Sequence, residues 1–193
     1  MFTTLRLLGA VLVMTGAACA GSNVVAATPT APTTISEPKP GQSGIAALSH
    51  IIGTWDCREV FHAGGWTPKE IVSENARDVF SWGPGKKFIL ADYESLSELG
   101  LFEAHDVIFW DEAKQTYKFF FFDSFSGGVQ EQDGVLTRDR LVFSHRMEMN
   151  GNPGTFVRDY RFESPTTQSL EVEFRPDVGD VIRIATISKT KRP

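Results

Sequence analysis

The sequence predicts an all-β domain over residues 45–193, a single antiparallel up-and-down β-barrel of roughly ten strands with a short N-terminal helix. Turn signals recur from Ala63-Gly64-Gly65 to Asp177–Asp180, with β-rich runs between them. Three successive runs alternate strictly. Phe156, Arg158, Tyr160 and Phe162 oppose Val157, Asp159, Arg161 and Glu163, while Leu170, Val172 and Phe174 oppose Ser169, Glu171, Glu173 and Arg175. Likewise Leu141, Phe143, His145, Met147 and Met149 oppose Val142, Ser144, Arg146 and Glu148. One wet and one apolar face excludes a helix-covered parallel sheet. An open sheet of this size would leave two unpaired edges, which closure into a barrel removes; a sandwich is the alternative.

Taken in order, residues 1–19 read as an export signal. Arg6 is the only charge before an apolar run from Leu7 to Ala18, too short to span a bilayer but suited to a signal core. Thr15-Gly16-Ala17-Ala18-Cys19 resembles a lipobox, which implies lipidation of Cys19 and a membrane anchor; Ala18-Cys19-Ala20 also fits ordinary signal cleavage. Residues 20–44 hold four prolines, four threonines, no aromatic residue and only Glu37 and Lys39 as charges. Such a segment buries too little apolar surface to offset its ordering entropy, and it reads as a tether. The expected location is the bacterial cell envelope or periplasm, with a soluble secreted protein as the alternative.

Ile45, Ala46 and Leu48 fit a short helix ended by Gly53. The expected strands are 54–62, 67–81, 86–95, 100–110, 116–125, 128–132, 135–138, 140–149, 154–163 and a final pair within 169–188 around Asp177. Segments 128–132 and 135–138 form one short hairpin around Asp133-Gly134 in this reading. Cys57 stands alone in the domain and reads as a small buried hydrophobe.

The 193 residues carry 19 Lys and Arg against 24 Asp and Glu, a net charge of -5, and no basic cluster precedes the last few residues. That balance excludes a nucleic-acid partner, because phosphate binding needs a basic footprint. No Cys-x-x-Cys, His-x-x-x-His, Gly-x-Ser-x-Gly or phosphate-loop pattern occurs, so neither a metal nor a cofactor is expected.

Ala47-Leu48-Ser49-His50-Ile51-Ile52-Gly53-Thr54-Trp55 resembles the start of calycin-type barrels, where a short helix leads into Gly-x-Trp. Glu103-Ala104 to Phe109-Trp110-Asp111, then Tyr117, then Asp123-Ser124, resembles a bacterial family of secreted lipocalin-like barrels. Its pattern runs Gly-Tyr-Asp, a turn, Lys-Tyr and Trp-x-Asp-Ser; here Phe109-Trp110 replaces Gly-Tyr and Phe121 replaces the Trp. The resemblance spans about residues 45–188 and implies the lipocalin-like fold. More distantly the chain resembles nitrobindin-type haem barrels. The strand-one glycines of that family are missing after Trp55, and Asp180–Lys191 contains no histidine to hold haem.

Arg158 lies between Phe156 and Tyr160 on the lumen side, and a guanidinium buried there needs a counter-charge. Either a wall carboxylate supplies it, Asp123 first, or a carboxylate on a bound ligand does. Phe88, Phe121, Phe143, Phe156, Tyr160 and Phe174 are the candidate lumen aromatics, with Arg158 and His145 as orienting polar groups. His50 falls in the helix and His62 at a hairpin tip, while His105 and His145 read as wall histidines. The leading expectation is a binding module for a small apolar ligand with a polar or acidic end. The alternatives are a cyclase or isomerase using Asp123 and His145 as acid and base, or a packed structural protein. On the strand 116–125, Phe119–Phe122 is apolar on both sides. The outward side therefore needs cover from the N-terminal helix or linker, a second protomer (a homodimer) or the membrane surface.

Overall fold

The structure, a computed structural model, describes residues 44–193. The expected export signal, Cys19 and the expected linker up to residue 43 lie outside the described residues. A 3₁₀ helix, Ile45–Ile51, precedes ten strands: β1 Gly53–Phe61, β2 Ile71–Trp82, β3 Phe88–Ser97, β4 Gly100–Asp111 and β5 Thr116–Asp123. The chain continues through β6 Val129–Leu136, β7 Arg140–Met149, β8 Asn152–Ser164, β9 Thr167–Pro176 and β10 Ile182–Lys191. Each strand pairs antiparallel with the next, and β10 returns to β1 from Trp55 opposite Lys191 to Phe61 opposite Ala185. The barrel is closed. Eight strands make a barrel that side chains can fill, and diameter grows with strand number, so ten strands leave more lumen.

The three alternating runs fold with their apolar faces inward. Two outward polar side chains are nevertheless buried by ion pairs laid over the wall. Asp159 is covered by Arg140 and Arg161, and Lys118 by Glu131 and Asp133. Bulges tune the alternation. At Glu74-Asn75 two outward residues of β2 oppose the single Arg58, which keeps Ser73 and Ala76 both facing the lumen. Near Ile184 a second bulge places Ile184 and Ala185 both in buried positions.

Four local expectations are corrected. Residues 63–70 form a loop joined by an Ala63–Thr67 bridge, so β2 begins at Ile71. Asp133-Gly134 is not a turn. Gly134 sits within β6 opposite Phe143, whose ring lies where a Cβ would stand, about 2.4 Å away, so the glycine serves close packing. Phe88 is on the outward side of β3, packed on Gly83 instead of lining the lumen. The N-terminal helix does not cover the outer face of β5. Leu48 and Ile51 enter the core, the Trp55 indole donates to the Ile51 carbonyl at 2.8 Å, and the Tyr117 hydroxyl donates to the Gly44 carbonyl at 2.9 Å. The helix therefore plugs one end of the barrel. On the outer wall Phe109 and Phe120 stack at 5.8 Å, and Phe122 is 44% exposed.

Candidate functional site

At the end opposite the plug, three connections frame a mouth. The loop between β1 and β2 carries Trp66, the turn between β3 and β4 carries Leu99, and the turn after β5 carries Phe125 and Ser126. Asp123 shapes this last turn, accepting from the Phe125 and Ser126 amides at 2.9 and 2.6 Å and from the Ser126 hydroxyl at 2.5 Å. A cavity of about 390 Å³ lies inside the mouth, walled largely by aromatic rings including Phe61, Phe102, Phe121 and Phe125. Behind it is a crevice of about 50 Å³, and Trp66, Phe102 and Phe121 line both spaces. A wide apolar vestibule thus leads to a narrow floor.

That floor is polar, built by residues whose strand positions aim them inward. Arg158 of β8 is 3% exposed and makes no ion pair among the described residues. Its Nη1 donates to Gln130 Oε1 at 3.4 Å, and its guanidinium carbon lies 4.2 Å from the Phe121 centroid, 4.8 Å from Phe156 and 5.2 Å from Phe119. Three aromatic faces offset part of its burial by cation–π attraction. They do not neutralise it. Burial pulls the guanidinium below its ordinary pKa, with Tyr160, Asp106 and Asp123 acting the other way from a distance.

Asp106 of β4 is 7% exposed, with Oδ1 buried and without a hydrogen-bond partner. Burial, reinforced by the charge of Asp78, pushes its carboxyl up to about 8, against the pull of Arg158 and Lys189. Near neutral pH it is mainly a carboxylic acid. Lys189 of β10 meets Asp78 of β2 at 2.5 Å, with 1% and 4% of their side chains exposed. Burial alone would lower the Lys189 ammonium; the Asp78 carboxylate beside it more than offsets this, and the lysine stays charged. Glu59 of β1 is raised by burial, moderated by the Ser95 and Tyr93 hydroxyls beside it. Glu59 Oε2, Asp78 Oδ1 and the two hydroxyls lack close hydrogen-bond partners in the fold.

Arg158, Phe121 and Tyr160 come together around the crevice, and Asp123 stands at the mouth. Phe143 and Phe156 belong to the packed wall and line neither space, as does Phe174. Asp123 is not the ion-pair partner of Arg158, because its oxygens serve its own turn. His145 lies half-buried against Phe156 at 5.4 Å, its Nδ1 unpartnered, and burial and the charge of Arg158 lower its pKa. No hydrogen bond joins His145 to Asp123. His105 points outward onto Asp92 at 2.5 Å, and the His62 ring meets the Thr186 hydroxyl at 2.8 Å. Cys57 is buried, its Sγ 3.6 Å from the Trp55 carbonyl, and burial pushes its thiol up to about 12. Among the described residues no group of three or more His, Cys, Asp or Glu side chains is arranged to hold a metal ion.

Glu59, Asp78, Asp106 and Lys189 escaped the sequence reading. The usable signal was alternation: each stands two residues from a buried apolar neighbour on the same face, as Asp78 does between Ala76 and Phe80. A charged residue in such a row reads as solvated by default, and only register shows otherwise.

No protein-family model matches the chain, and no curated protein does. Solved structures do. The crystal structure of Rv2717c from M. tuberculosis superposes with a TM-score of 0.53 at 13% identity, over 77% of this chain and 97% of that one. The S-type phycobiliprotein lyase CPES from Guillardia theta superposes with a TM-score of 0.54 at 11% identity, over 79% and 95%. At these identities the likeness is one of fold, and the fold is a calycin-like, lipocalin-like closed β-barrel.

Proposed function

We propose that the barrel binds a small, mainly apolar ligand whose acidic end reaches Arg158 from the mouth. The observation that carries this is the buried guanidinium at the floor of an aromatic-walled cavity, with no carboxylate within ion-pair distance of it among the described residues. Leaving such a charge uncompensated is costly, and a bidentate carboxylate is its natural complement. Apolar walls with a few convergent polar groups are the usual make-up of a ligand pocket. The vestibule volume speaks for a ligand site over a barrel packed solid. One fold neighbour is a phycobiliprotein lyase, so the fold alone does not choose between binding and catalysis. The choice of binding rests on Asp123, which is committed to its turn instead of paired with His145.

The test compares a fluorescent fatty-acid probe with its alcohol counterpart on the full chain and on Arg158→Met. A charge-assisted hydrogen bond contributes about 1.5–3 kcal/mol, so the variant is expected to lose about tenfold or more in affinity for the acid and far less for the alcohol. Equal losses for both probes, or no binding of either by the native chain, would overturn the reading. Export and acylation at Cys19 form the second part of the proposal. Cys19→Ser is expected to move the chain from the membrane to the soluble fraction, and unchanged partition rejects the anchor.

A further inference from the structure

Asp106 and Arg158 reach the crevice from β4 and β8, across the lumen from each other in strand order. Neither is within ion-pair distance of an opposite charge among the described residues, and Asp106 Oδ1 is buried and free of partners. The crevice is narrow, so an acid group brought to Arg158 comes close to Asp106 as well.

We propose that Asp106 is the second anchor for the ligand's acid end: as a carboxylic acid it donates a hydrogen bond to the carboxylate held by Arg158, and as a carboxylate it takes that ligand's place as counter-charge to the guanidinium. This rests on the function proposed above. Ligand binding is then linked to one proton, because an ionised Asp106 must regain it before an anion can sit beside it.

The charges facing Asp106 fit the arrangement. From β2 comes Asp78, already neutralised by Lys189 of β10, and from β3 Asp92, which is turned outward onto His105. Glu59 of β1 and the hydroxyls of Tyr93 of β3 and Tyr160 of β8 complete the ionisable lining of the crevice, and burial favours the neutral form of each. Among the described residues Arg158 is therefore the one charge on the crevice floor without an ionised partner in contact, and Asp106 the acid that answers it.

The experiment measures affinity for an alkylsulfonate fluorescent probe, which stays ionised throughout, at pH 6.5 and 9.5, with the alcohol probe as control. With the Asp106 carboxyl titrating at about 8, the competent fraction at pH 9.5 falls about thirtyfold, and the affinity of the native chain is expected to fall with it. The alcohol should show no such fall. In Asp106→Asn, whose amide donates but cannot ionise, the dependence on pH should disappear. Calorimetry in two buffers of different ionisation enthalpy supplies a second readout, expected to show uptake of about one proton at pH 9 by the native chain and none by the variant. A flat profile in the native chain, or the same fall in both proteins, overturns the proposal while leaving acid binding intact. No binding of sulfonate or alcohol at either pH overturns both.

Discussion

The two ends of this barrel are built from the same alternating strands and finish in opposite ways. At one end Leu48 and Ile51 enter the core, and Trp55, Tyr117 and Lys191 tie the helix backbone down through its carbonyls or that of Gly44. At the other, Phe125 and Trp66 remain 56% and 49% exposed around an aromatic cavity. Apolar side chains that bury one another stabilise the fold. Apolar side chains left facing a cavity keep their interaction capacity for something else. The plug end should therefore answer for stability and the mouth for recognition, with the polar floor between them answering for both.

The largest expected effect lies at the plug. Trp55→Ala removes a buried ring and its hydrogen bond to Ile51, and should cost about 3–5 kcal/mol in denaturant unfolding, with probe affinity per folded molecule unchanged. A change in the preference between acid and alcohol probes would break the division. Next comes the floor. In the unfolded chain Asp106 titrates at about 3.9, whereas in the fold it titrates at about 8. Below the lower value it is protonated in both states. Between the two values the unfolded chain releases a proton that the fold retains, so native stability declines as pH rises, and above about 8 the full penalty remains. Asp106→Asn should therefore gain on the native chain across that window, by a few kcal/mol at its upper end. Parallel stability curves for the two proteins would show that Asp106 is ionised in the fold at neutral pH.

The smallest expected effect is at the mouth. Trp66→Ala removes a half-exposed ring that rests on Phe61 and Phe156 and should shift stability by about 1 kcal/mol. It should weaken either probe roughly three- to tenfold, since an aromatic contact contributes about 0.5–1.5 kcal/mol. A large stability loss without a change in affinity would assign Trp66 to the core.

Much of the wall was legible because alternation of period two is a local signal, strongest where one face is uniformly apolar, as in Leu170, Val172 and Phe174. The β5–β6 region was read less well for a physical reason. Asp133-Gly134 has turn chemistry, but the ring of Phe143 over Gly134 rewards a missing side chain inside a strand. β4 was ambiguous because both of its sides carry apolar residues: His105 stands with Val107 and Phe109, Asp106 with Ala104 and Ile108. The second row faces the lumen. Arg158 was found because its neighbours Phe156 and Tyr160 leave its direction in no doubt. The sequence leaves its counter-charge open between Asp123 and a ligand carboxylate, and the structure removes the first, because Asp123 is spent on its own turn.

The sequence by itself determined the barrel class, the strand periodicity and the inward direction of Arg158, all of which follow from residue types and their local spacing. Only the tertiary structure decided that the helix plugs one end, that the other end opens into an aromatic cavity, and that Asp106, Asp78, Glu59 and Lys189 meet Arg158 at its floor. Those residues come from β1, β2, β4, β8 and β10, far apart along the chain. Their burial, and with it the protonation of Asp106, exists only once the closing pair of β1 and β10 has removed the lumen from water.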